Sequence, residues 1–147
     1  MNFLYFLAGY TDSEGSFRIY QADGETSFSF RINSQDERIL RQIKSKLRST
    51  GYHVYFNLAA RRGLQGRKKY RRDLWSFGMF RKEEIVELLQ RLPLAHDEKT
   101  RWAQIITRAR HLKWEEVRDE VARLRATIKQ EVTHFTHEAE VEYLRKH

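Results

Sequence analysis

The spacing of apolar and polar residues changes several times along this chain, and each change predicts an element. Phe3, Leu4, Phe6 and Leu7 form an apolar helical run that passes through Ala8-Gly9 and stops at Gly15, where a left-handed glycine would close the helix. Beyond it the period becomes two. Phe17 and Ile19, then Phe28, Phe30 and Ile32, alternate with Ser16, Arg18 and Tyr20 and with Ser27, Ser29, Arg31 and Asn33, and Asp23-Gly24 between the runs predicts a tight hairpin. Ser34, with Glu37 three residues on, has the form of a capping box opening a helix that carries Ile39, Leu40, Ile43 and Leu47 on one face and ends at Gly51. Val54, Phe56 and Leu58 alternate with His53, Tyr55 and Asn57, predicting a third strand. After a loop, Trp75, Phe77 and Met79 alternate with Leu74, Ser76 and Gly78 in a fourth. Ile85, Val86, Leu88 and Leu89 then mark a helix stopped near Pro93.

This order predicts an α+β fold: two αββ units and a further helix around one mostly antiparallel sheet. From about Asp97 the chain reads as wholly helical, with Trp114, Val117, Val121, Leu124 and Ile128 spaced as a stripe that packs over the core. Glu131 to His147 is polar and carries no motif that assigns it a task. A chain of 147 residues is one domain, with a core to about residue 111 and C-terminal helices from about 112.

Charge sharpens the picture. The chain has no cysteine, which excludes disulfides and cysteine zinc sites, and 33% charged with 40% hydrophobic residues describes a globular protein. No run reaches the length of a membrane span, and the apolar N-terminus lacks a basic n-region, so the expected setting is intracellular: cytoplasm, nucleoid or an organelle. The net charge is +8, and the segment Arg61 to Arg72 supplies +7 of it through Arg61, Arg62, Arg67, Lys68, Lys69, Arg71 and Arg72. Such concentration points to a polyanion rather than to solubility in general, and the phosphates of nucleic acid are its natural partner. The polar side of the strands agrees. Arg18, Tyr20, Ser29, Arg31, Asn33, His53, Tyr55, Asn57, Arg72 and Ser76 share one face of the expected sheet, and an antiparallel ribbon fits the major groove, where Arg reads guanine and Asn reads adenine.

The chemistry is concentrated at the end of the first helix. Asp12 and Glu14 sit at a helix C-terminus, whose partial negative charge disfavours carboxylates, and a divalent cation would resolve that conflict. Leu7, Ala8, Gly9, Asp12, Glu14 and Gly15 match the pattern L-A-G-x-x-D-x-[DE]-G, and the stretch resembles the motif of the LAGLIDADG homing endonucleases; Tyr10, Thr11 and Ser13 fill positions where that family varies. The resemblance implies an αββαββα core with a saddle-like antiparallel sheet. One copy of the motif implies a homodimer, with Leu7, Ala8, Gly9 and Asp12 at the two-fold axis.

It further implies a Mg²⁺-dependent, intron-homing endonuclease that cuts a long, nearly palindromic duplex and leaves 3′ overhangs. Glu14 would ligate the metal with help from the Ser13 main-chain carbonyl. Asp12 would serve the helix end or the dimer contact, since residues two apart on a helix do not face each other. Ser34 or Gln35 takes the position of the family's water-orienting residue, Arg38 that of a basic residue near the cleaved bond, and Lys99 that of a lysine by the scissile phosphate. A non-cleaving binder on the same fold, an intron-splicing maturase that holds intron RNA or a DNA-binding regulator, is the alternative. Two other signals are weaker: Asp97-Glu98-Lys99 reads as D-x-K without a companion strand acid, and His134, His137 and Glu138 lack a spaced further zinc ligand.

Overall fold

The computed structural model describes residues 2–65 and 68–146, with backbone alone at 64, 65, 68, 70 and 132–140. Helix α1 spans Phe3–Glu14, opened by the Asn2 side chain, which accepts from the Leu4 N–H at 2.9 Å. Strand β1, Gly15–Ala22, follows with no linker, and the Asp23-Gly24 turn returns it as β2, Glu25–Ser34. Both turn residues have positive φ, 52° and 78°, the mirror-image turn whose twist suits a two-residue hairpin. Helix α2, Glu37–Ser49, ends where Gly51 takes φ +99°. The Tyr52 N–H there reaches back to the Leu47 carbonyl at 3.1 Å, satisfying a carbonyl at the helix end.

Strand β3, Tyr55–Ala60, and strand β6, Leu74–Met79, complete the sheet in the order β1-β2-β6-β3, all pairs antiparallel. The segment between them, expected as a loop, folds as a separate ribbon of β4, Gly63–Gln65, against β5, Lys68–Tyr70. Helices α3, Lys82–Arg91, and α4, Asp97–Ala109, flank Pro93, and α5 runs from Trp114 to Lys146.

One face of the sheet is the core. Phe17 pairs with Phe30, Ile19 with Phe28, Phe30 with Met79 and Ile32 with Phe77, so the rows of apolar side chains cross the strands in register. Phe30 meets Phe77 edge-on at 5.6 Å and Phe17 at 5.2 Å, geometries that aromatic quadrupoles favour. The buried stripes of the helices close over this face: Leu7 and Ala8, Leu40, Ile43 and Leu47, Ile85 and Leu88, Trp102 and Ile106, and Val117 and Val121. Each fully buried Leu or Ile contributes about 2 kcal/mol. The other face stays open, with Arg18, Arg31 and Asn57 exposed. No helix among the described residues is long and apolar enough to cross a membrane.

Candidate active site and nucleic-acid face

The motif helix divides its side chains between two duties. Leu7 and Ala8, 0% and 2% exposed, are spent on the protein's own core, as is Thr11, whose hydroxyl donates to the Leu7 carbonyl at 2.7 Å. The stripe left outside is Tyr5, Gly9 and Ser13, all exposed and one turn apart. A Cβ on Gly9 would meet nothing within 4 Å. The exposed strip of this helix is therefore centred on Gly9, while Leu7 and Ala8 face the core of their own chain. Gly15 also differs from expectation. Its backbone is extended, φ −76° and ψ 152°, and glycine is needed because a Cβ would lie 2.6 Å from the Thr11 carbonyl oxygen and 2.8 Å from its methyl.

Asp12 has a definite task. Its two carboxylate oxygens accept from the Ala95 and His96 N–H groups, each at 3.0 Å, at the N-terminus of α4, where no side chain of α4 itself provides a cap. An acid there satisfies two otherwise unpaired donors and meets the positive end of the helix dipole. It also ties the motif helix to a segment more than 80 residues away in sequence. Glu14, two residues beyond Asp12, is exposed, and Lys99, in the first turn of α4, is partly exposed.

The start of α2 is arranged differently from its expected capping box. Asp36 is the N-cap, accepting from the Ile39 N–H at 3.2 Å. Ser34 is the last residue of β2, held there by pairing with Trp75. Its hydroxyl accepts from the Asp36 N–H at 3.0 Å and shares a 2.9 Å hydrogen bond with the Tyr10 hydroxyl of α1. Gln35 next to it is exposed, and so is Arg38 on the first turn of α2.

On the open face of the sheet, two rows run across the strands. Ser16, Arg31, Gly78 and Tyr55 form one; Asn33, Ser76 and Asn57 form the other. Arg31 donates its Nε–H to the Tyr55 hydroxyl at 3.1 Å, and the Arg18 guanidinium lies 5.1 Å from the Tyr20 ring centre. Arg31, Arg18 and Asn57 are exposed, and Tyr20, Asn33 and Tyr55 are half-buried. Two members of the expected set are closed off: Ser76 is 4% exposed and Ser29 8%, because short side chains are overtopped by their cross-strand neighbours. His53 lies before β3, not on it, and is engaged by Glu84 of α3. That carboxylate accepts from its backbone N–H at 2.6 Å and sits 2.9 Å from its Nδ1. Burial pushes the Glu84 carboxyl upward, but the His53 hydrogen bonds and the neighbouring His53 and Arg81 charges outweigh it and hold the group below the ordinary carboxylate range.

Sequence reasoning missed Phe80. It is 54% exposed and stacks on Tyr55 with ring centres 4.7 Å apart and planes 13° apart. Its signal was present, since it continues the alternation of Ser76 and Gly78 one step beyond the strand.

The basic segment is built on the β4–β5 ribbon. The Asp73 carboxylate closes its base by accepting from the Arg62 N–H at 2.7 Å. Arg61, Arg62, Lys69, Arg71 and Arg72 are exposed. Arg67 lies outside the described residues, as do the side chains of Lys68, His134, His137 and Glu138.

The donor set suits a hard divalent cation only in part. Glu14 offers one exposed carboxylate at the negative end of α1, and no cluster of three or more His, Cys, Asp or Glu side chains occurs among the described residues. Oxygen donors are the right kind for Mg²⁺, which keeps several waters and takes one or two carboxylates with substrate phosphates. A site of that kind needs no further acid from the same chain.

No protein-family model matches the chain, and no curated protein matches it in sequence. Solved structures do match it. The LAGLIDADG meganuclease I-AabMI bound to uncleaved DNA superposes with a TM-score of 0.54 at 23% identity, over 76% of this chain and 37% of that one. The LAGLIDADG homing endonuclease I-GzeII in complex with its DNA target gives 0.51 at 16%, over 89% and 49%. The present chain thus spans less than half the length of either. At such identities the likeness is one of architecture, and it agrees with the motif on α1: the chain has the LAGLIDADG endonuclease fold.

Proposed function

We propose that the protein is a sequence-specific, double-strand DNA endonuclease of the intron-homing kind, acting as a homodimer on a long, nearly palindromic site and leaving 3′ overhangs. The observation that carries this reading is the division of labour within the motif: Asp12 is consumed as a helix cap while Glu14 stands exposed beside it. A carboxylate at a helix C-terminus costs stability, so its presence there, next to an open basic sheet face, favours chemistry over packing. The two DNA-bound structures of this fold support DNA as the partner.

Two copies would meet through the Tyr5–Gly9–Ser13 stripe, where the absence of a side chain at Gly9 allows close helix approach. Their two Glu14 carboxylates would then converge, each with its Ser13 main-chain carbonyl, to hold Mg²⁺ against a phosphodiester. When bound, such ions polarise the phosphoryl oxygen, lower the pKa of a water and stabilise the leaving 3′ oxygen. Lys99 would place positive charge beside the scissile phosphate, and Arg38, exposed on the first turn of α2, would act near the cleaved bond. Gln35, exposed next to the Tyr10-anchored Ser34, is the better placed of that pair to orient water. The sheet residues Arg18, Tyr20, Arg31, Asn33, Tyr55 and Asn57 read bases, and the ribbon arginines and lysines hold phosphates.

The test is cleavage of a randomised duplex library with Mg²⁺ or EDTA, by wild type and Glu14→Gln together. Metal-dependent cuts at one nearly symmetric sequence, lost in the variant, are the expected result. Specific retention of duplexes by the wild type without any cut would overturn the nuclease in favour of a binder on the same fold.

A further inference from the structure

Arg31 sits at the centre of the open sheet face with one edge of its guanidinium already committed. Its Nε–H donates to the Tyr55 hydroxyl at 3.1 Å, two strands away, across Gly78. The span is possible only because Gly78 has no side chain: a Cβ there would lie 2.3 Å from the Tyr55 hydroxyl oxygen and 2.4 Å from its ring. The ring is fixed from its other side by the stack on Phe80, at 4.7 Å. Three residues on three strands, with Phe80 just beyond β6, therefore build one support: glycine makes the space, the aromatic pair fills it, and the phenol holds the arginine.

This leaves the two terminal nitrogens of Arg31 with parallel N–H groups on an exposed side chain. That end-on fork matches the O6 and N7 acceptors of guanine in the major groove, the commonest specific arginine contact. An unsupported arginine loses much rotamer freedom on making such a contact. One held beforehand loses less, and it discriminates better because its fork cannot swing to a neighbouring phosphate.

We propose that Arg31 reads a guanine in each half of the DNA site, and that Tyr55 is its positioning residue. The proposal rests on the DNA-binding reading above and adds the base and the device that selects it. In its test the full-length protein retains duplexes from a randomised library in EDTA, which prevents cutting, and the retained pool is sequenced. Arg31→Gln, Arg31→Lys and Tyr55→Phe are compared with wild type, and binding is repeated at several salt concentrations.

Wild type should show guanine at two symmetry-related positions, preferred about tenfold or more. Arg31→Gln and Arg31→Lys should lose that preference while all other positions keep theirs, since a lysine keeps the charge but not the fork. Tyr55→Phe should weaken the guanine preference several-fold without changing the salt dependence. A purely structural role for Tyr55 would instead lower affinity for all sequences equally. If Arg31→Gln weakens every sequence uniformly and reduces the salt slope by about one, Arg31 is a phosphate contact and the proposal falls while DNA binding stands. If wild type retains no duplex preferentially, the DNA-binding reading fails before any variant is compared. Thermal melts of the three variants confirm that each is folded.

Discussion

The two αββ units of the sheet repeat each other in outline and differ in what they leave outside. Both helices bury one stripe: Leu7, Ala8 and Thr11 on α1, Leu40, Ile43 and Leu47 on α2. The outer side of α2 is finished with charge. Arg38, Arg41, Lys46 and Arg48 are exposed, Arg41 pairs with Glu37 at 2.7 Å and lies over the Phe56 ring at 4.7 Å, and Lys44 covers the same ring. The outer strip of α1, Tyr5, Gly9 and Ser13, carries no charge, and a Cβ on Gly9 would meet nothing within 4 Å. The hairpins differ in the same sense: β1–β2 closes in two residues, whereas β3 and β6 are separated by the basic ribbon. One unit leaves an uncharged strip and an acid outside, the other a charged helix face and a basic ribbon.

The largest effect that tests this comparison is on the shared part. Leu7→Ala and Ile43→Ala should each lower stability by about 3 kcal/mol in denaturant unfolding, because both lose a fully buried aliphatic side chain. A much smaller loss for Leu7→Ala would mean that α1 is not part of the core at all. The caps come next. Asp12→Ala removes two hydrogen bonds to backbone donors and should cost about 2 kcal/mol, against about 1 kcal/mol for Asp36→Ala, which removes one. Equal costs would mean that α1 is not locked to α4.

Smaller still is the acid dependence carried by Glu84 of α3, whose partner His53 leads into β3. Because its partners hold the Glu84 carboxyl below the ordinary range, its contribution is present above the unfolded pKa and lost as pH falls through the folded one. Wild type should exceed Glu84→Gln by about 1 kcal/mol at pH 7, from the hydrogen bonds to His53, and by nothing once the carboxyl is protonated. Thermal melts across that range would show a pH-independent gap if the pairing is incidental. Least of all, Gly9→Ala should leave the monomer as stable or up to about 1 kcal/mol more so, since it relieves a helix glycine in open space. Sedimentation of the same variant should show weakened self-association. Unchanged association would locate the pairing surface elsewhere.

Local chemistry was legible in the sequence; long-range chemistry was not. The Asp23-Gly24 turn, the α2 stripe, its stop at Gly51 and the break at Pro93 all follow from neighbours in the chain. The cap of α2 was misplaced because Ser34 and Asp36 are both good capping residues, and only the pairing of Ser34 with Trp75 on a distant strand decides between them. The β4–β5 ribbon was hidden because its strands are only three residues each and carry no alternation. Ser29 and Ser76 fall on the right face, but their neighbours' bulk determines what reaches solvent. The partners of Asp12 lie more than 80 residues away, beyond the reach of any motif.

The junction at Gly15 has a mechanical consequence. Helix α1 gives way to strand β1 without one intervening residue, and the turn is tight enough to exclude even a methyl group. Glu14 therefore has no tether of its own; it is the end of a rigid lever whose other arm is the strand that carries Arg18 and Tyr20. Because no residue separates them, a shift of β1 would carry the Glu14 backbone with it, so the position of the strand and the aim of the acid are coupled. A single residue inserted after Glu14 would uncouple them, and such a protein should still bind its site while cutting it poorly.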